Sequence, residues 1–116
     1  METSNRTISE QFSQGNFKEV YAYFANEAEW HIIGDRVLKG KATIIDFCDK
    51  MLIEMASSVV TNTNIIEDKN KIAIEGICIY TNKEHKQTQL NYCDTYLFET
   101  GKIKTITSYC ILLNKE

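Results

Sequence analysis

Residues 87–113, QTQLNYCDTYLF then ETG then KIKTITSYCILL, form two long apolar-rich runs separated by three residues. β-Branched and aromatic side chains dominate both runs, and the short break carries the glycine that a tight turn favours. The spacing predicts a long antiparallel hairpin. Within the first run Tyr92, Asp94, Tyr96 and Phe98 share parity, so they share a face of the sheet. An aspartate among aromatics needs an explanation. A carboxylate there costs free energy unless it is paired, protonated or open to a wet cavity. One reading is a cavity carboxyl with a pKa raised by desolvation. The other is a structural carboxylate on the outer face, bonded to a tyrosine hydroxyl or to backbone. The cavity reading is preferred, because an apolar wall with few polar groups is the usual form of a ligand pocket. Cys93, Thr95 and Leu97 then face the convex side, where small and apolar groups suit a sheet-to-sheet homodimer contact.

Upstream, VVTNTNII and KIAIEGICIY read as two further strands, set off by EDKN and TNKEH. Helical patterns precede them. Residues 3–13 carry Ile8 and Phe12 on one face. Asn16 is placed to cap a second helix, with Glu19 three residues on as in a capping box. Phe17, Val20, Tyr21 and Phe24 then make an apolar stripe. AEWHII is a short strand and GDRVLKG a loop. Residues 41–56 form the strongest helix, with Ile44, Ile45, Cys48, Met51, Leu52 and Met55 on one face. Helices first and a strand meander last argue for an α+β fold. The expected shape is a cone: a curved, mostly antiparallel sheet with three N-terminal helices packed on it and a pocket at the open end.

The chain has 116 residues, a net charge of −3, 43% hydrophobic and 10% aromatic residues. These values fit one soluble domain, residues 1–116. The lysines are scattered, so no basic surface points to nucleic acid. No apolar segment is long enough for a membrane span, and the first residues lack a signal layout, so a cytoplasmic location is expected. Cys48, Cys78, Cys93 and Cys110 show no zinc-type spacing and read as reduced core residues. Neither a metal nor a cofactor is expected. No Gly-rich phosphate loop or nucleophile motif is present in the sequence.

The segments GNFKEVYAYFANEAEW (15–30), GDRVLKGKATIIDF (34–47) and DTYLFETGKIKTITSY (94–109) carry a resemblance. Together they resemble the nuclear transport factor 2-like (cystatin-like) superfamily, near its SnoaL-like polyketide cyclases and ketosteroid isomerases. The likeness runs from about Gln11 to Leu112. Its most specific parts are G-K-x-x-I-x-x-F from Gly40 and D-x-Y-x-F-x-x-G-K-I from Asp94. The superfamily spans enzymes and non-catalytic binders, so the fold follows more directly than the chemistry. The resemblance implies that Asp94 matches the carboxylic acid that ketosteroid isomerases keep protonated to stabilise an oxyanion. Counting back from Gly40 puts His31 where that family holds its general base. A one-residue shift in the loop would put Trp30 or Ile32 there instead. The family's oxyanion tyrosine falls near Ile8, which has no hydrogen to donate.

His31 and Asp94 are therefore the candidate catalytic residues, and Tyr92, Tyr96, Phe98, Tyr21 and Trp30 the candidate pocket lining. His31 is also readable as a satisfied core histidine, and Trp30 as packing only. Asp35 and Arg36 read as a solvated pair near the pocket mouth, and His85 as an exposed turn residue. Three functions follow. The first is cofactor-free acid–base chemistry on a small, largely apolar carbonyl compound, of isomerase, cyclase or dehydratase type. The second is non-catalytic binding of such a molecule. The third is a dimerisation module whose pocket is filled by its own side chains.

Overall fold

The hairpin of residues 87–112 is the centre of a six-stranded sheet. The structure, a computed structural model, describes residues 3–113. Strands β5 (Gln87–Glu99) and β6 (Lys102–Leu112) join through Thr100 and Gly101, both at positive φ, the backbone a two-residue hairpin turn needs. Outside them lie β4 (Lys71–Thr81) and β3 (Val59–Asp68) on one side. On the other side are β1 (Phe24–Ile32) and the short β2 (Arg36–Lys39), giving the order β2-β1-β6-β5-β4-β3. All pairings are antiparallel except β1 with β6. Register shifts interrupt β1–β6, β3–β4 and β5–β6. Such bulges bend and twist strands, and here they accompany a curved, open sheet with a concave face.

Three helices cover that concave face. Helix α1 (Asn5–Ser13) starts at Ser4, whose side chain accepts from the Thr7 N–H. Helix α2 (Lys41–Glu54) follows Gly40, which sits at φ +96°, a conformation that favours glycine. Between them Phe17–Tyr23 is a 3-10 helix, not the expected α-helix, and β1 begins at Phe24, four residues before the predicted strand. Asn16 makes no side-chain cap; its amide instead donates to Gln11 Oε1 at 2.8 Å. The tighter helix has three residues per turn, so Phe17 and Val20 eclipse and both are buried.

The core sits between helices and sheet. Phe12 is its hub, with ring centroids of Phe17, Phe24, Trp30 and Tyr96 at 4.9, 5.7, 5.0 and 6.2 Å. Burying such rings contributes roughly 1.5–3 kcal/mol each. From β5, Tyr92, Asp94, Tyr96 and Phe98 all point into this side and are buried, as their shared parity requires. Glu75 pairs with Cys93 and is exposed on the outer side.

Candidate functional site

A cavity of about 630 Å³ opens between α1, α2 and the concave sheet. Its wall is mainly apolar and aromatic, with Phe12, Phe17, Trp30, Phe47, Leu90 and Tyr92 contributing. The buried polar residues on it are Asp94, 8% exposed, and the serines Ser13 and Ser108.

Asp94 is held at both oxygens. Ser13, the last residue of α1, donates its hydroxyl to Oδ2 at 2.8 Å. Ser108, directly across the β5–β6 ladder, donates to Oδ1 at 2.6 Å. Each serine is fed in turn. Trp30 Nε1–H donates to Ser108 Oγ at 2.8 Å. Ser13 Oγ and the Tyr96 hydroxyl lie 2.5 Å apart. Because Ser13 uses its hydrogen on Asp94, Tyr96 is the donor in that pair. The result is two chains of donors, Trp30–Ser108 and Tyr96–Ser13, both ending on one carboxylate. Burial pushes the Asp94 pKa up; the bonds from Ser108 and Ser13 oppose it without cancelling it. Burial also raises the Tyr96 phenol well above its ordinary range, with Asp94 adding to the effect.

Tyr92 forms the neighbouring wall. Its hydroxyl donates to Asn62 Oδ1 at 2.6 Å, and Asn62 Nδ2 donates to the Glu10 carbonyl at 3.2 Å, tying β5 through β3 to α1. The Tyr92 ring lies over Gly76, where a Cβ would collide with the ring and with the Thr61 carbonyl. A glycine inside β4 is therefore what admits this tyrosine. Cys78 and Cys110 also line the cavity, with their thiol pKa values pushed up by burial, Cys110 to about 11. Cys110 lines the cavity yet is an exposed residue overall, not the core residue its apolar run suggested.

At the rim, Asp35 lines the cavity and pairs with Arg36 at 3.2 Å. The Arg36 guanidinium lies 5.2 Å from the Phe47 ring centroid, and that ring meets Trp30 edge-on at 5.6 Å. The turn between β1 and β2 is thereby packed onto α2 at the mouth.

The structure does not bring His31 and Asp94 together. Trp30 and Ile32 face the cavity, and His31, between them, faces away. Its Nε2 lies 2.9 Å from Glu29 Oε1, on the outer side of β1 opposite Val37 and Thr107. The count from Gly40 found the right stretch of chain and the wrong side of the strand. Tyr21 does not line the cavity either: its hydroxyl donates to Asp49 Oδ1 at 2.6 Å on the far side of α2. Desolvation and that bond raise its pKa. Tyr96 and Phe98 are fully buried in the core beneath the cavity, and Tyr96 reaches the site only through Ser13. Ser13 and Ser108 were not singled out from sequence. Among the described residues no group of three or more potential metal ligands occurs, and no helix is long and apolar enough to cross a membrane.

The family model for the SnoaL-like domain matches residues 6–106, and the chain belongs to that family, within the nuclear transport factor 2-like fold. A solved nuclear transport factor 2-like protein of unknown function from Cytophaga hutchinsonii is 54% identical, with a TM-score of 0.91 over 96% of this chain and 99% of that one. A Jannaschia protein provisionally described as a SnoaL-like polyketide cyclase superposes with a TM-score of 0.79 at 8% identity, covering 95% and 90% of the two chains. The protein TerC, crystallised with polyporic acid, gives 0.73 at 13% identity, covering 90% and 88%. The last two likenesses concern the fold alone. No curated protein sequence matches the chain.

Proposed function

We propose that this protein binds a small, largely apolar organic molecule in the Asp94 cavity. One observation carries the reading: an apolar space of about 630 Å³ with a single buried carboxyl on its wall, oriented by two serines. That size suits a compound of one to three rings, and a lone fixed polar group is what orients such a ligand. The fold neighbour crystallised with polyporic acid is consistent with a ring compound as occupant. Ligand-observed NMR screening of apolar ring compounds tests the proposal. Binding is expected in the native protein and is weakened in Leu90→Trp, which narrows the space from β5. Hits that survive the substitution equally well place the ligand elsewhere and reject the reading.

Acid–base turnover is the second reading, supported by the raised pKa of Asp94. It rests on Asp94 without His31, since His31 is turned away from the cavity. It requires that Asp94→Asn lower turnover far more than stability. Pairing of the convex faces of two copies is a further part of the proposal. Val37, Tyr109 and Ile111 are exposed there beside half-buried Cys93, Thr95 and Leu97. Sedimentation at micromolar concentration distinguishes a dimer from a monomer.

A further inference from the structure

Resting on that binding reading, we infer that the cavity is built for a ligand that donates hydrogen bonds, and specifically for an apolar amine in its ammonium form. Two independent observations lead there. The first is the direction of the hydrogen bonds around Asp94. Trp30 Nε1 is a donor only, so Ser108 accepts from it, and Ser108 gives its own hydrogen to Oδ1. On the other side Ser13 sends its hydrogen to Oδ2 and takes one from Tyr96. Every hydrogen in the network already runs toward the carboxylate. Reversing the Tyr96 side to accommodate a carboxyl proton would leave the Tyr96 hydroxyl hydrogen, fully buried, without an acceptor among the described residues. On the other side, a proton on Oδ1 aimed at Ser108 would take from the Ser108 hydrogen its acceptor. The network thus leaves the cavity-facing lone pairs of Asp94 as the place where a further hydrogen fits, and a ligand that donates supplies it there.

The second observation is charge. The residues lining the cavity include Asp94 and Asp35 and no lysine, arginine or histidine. Asp35 has Arg36 as its partner at the rim. Among the described residues, Asp94 has four neutral groups in its network and no cationic partner. A buried carboxylate without a counter-charge is costly, and an entering ammonium supplies one. Around it stand Trp30, Phe12, Phe47 and Tyr92, rings whose faces attract a cation as readily as an apolar body.

The experiment compares three molecules of nearly equal shape on the native protein by calorimetry: benzylacetone, the alcohol made by reducing its carbonyl, and the amine made by replacing that oxygen with NH₂. The amine is expected to bind about tenfold tighter than the alcohol, as charge-assisted bonds exceed neutral ones, and tighter still than the ketone. That order should collapse in Asp94→Asn. If the ketone equals or exceeds the amine, this inference is overturned while the binding reading stands. If none of the three binds, both fall.

Discussion

Two polar pairs lie one strand-step apart and have opposite environments. On the inner face of β1, Trp30 leads through Ser108 to Asp94, buried and bonded at every polar atom. On the outer face, His31 meets Glu29 with both side chains more than a third exposed. The atoms are similarly close in both places, 2.6–2.9 Å. What differs is solvent. Water competes for and screens the outer pair, so its contribution is small. It cannot replace a lost partner on the inner side. Chemical interest therefore follows burial and network completeness rather than residue type, and histidine loses to serine here.

Substitutions that separate the two faces should differ greatly in effect. The largest change is expected for Ser108→Ala, which removes the acceptor of the Trp30 indole and the donor to Asp94 together. About 3 kcal/mol should be lost in urea unfolding, with two buried groups left unpartnered. Thr107→Ala, one residue away on the outer face, is the matched control and should stay within about 0.5 kcal/mol.

A smaller and more specific effect concerns pH. The folded-state pKa of Asp94 lies above the ordinary 3.8, so the native state holds that proton more tightly than the unfolded chain. Between 3.8 and the raised value, stability contributed by this group falls as pH rises; below 3.8 the penalty is absent. Urea midpoints measured across that acidic window should show this slope in the native protein and lose it in Asp94→Asn. An unchanged slope in the variant would assign the dependence to other carboxylates. The smallest effect belongs to His31→Ala, expected within about 0.5 kcal/mol and without influence on ligand affinity. A large loss of affinity there would erase the contrast between the faces.

Much of this arrangement was legible in the alternation of β5. Tyr92, Asp94, Tyr96 and Phe98 share parity and all point inward, since period two survives along a strand whatever its neighbours do. Partners across strands were not legible. Counting back from the Thr100–Gly101 turn would set Asp94 opposite Thr107, on the outer face. The register shift between Leu97 and Phe98 moves the pairing by one residue and sets Ser108 there instead. Ser13 lies 81 positions from Asp94, and helix docking alone brings it near. Tyr21 was misplaced because an α-helix puts it about 40° from Phe17, whereas the 3-10 helix puts it about 120° away, facing Asp49. His31 shows the limit of counting along a loop: a count gives distance along the chain, and one residue of error reverses the face.

Trp30 is the only tryptophan in the chain and stands on the cavity wall, bonded to the serine that holds Asp94. Its fluorescence is therefore a direct report on occupancy. Titrating an apolar amine into the native protein should shift or quench that emission saturably, with the response weakened by Asp94→Asn and by Leu90→Phe, which narrows the cavity. Emission that stays constant while binding is detected by calorimetry would place the ligand outside the cavity and contradict the account.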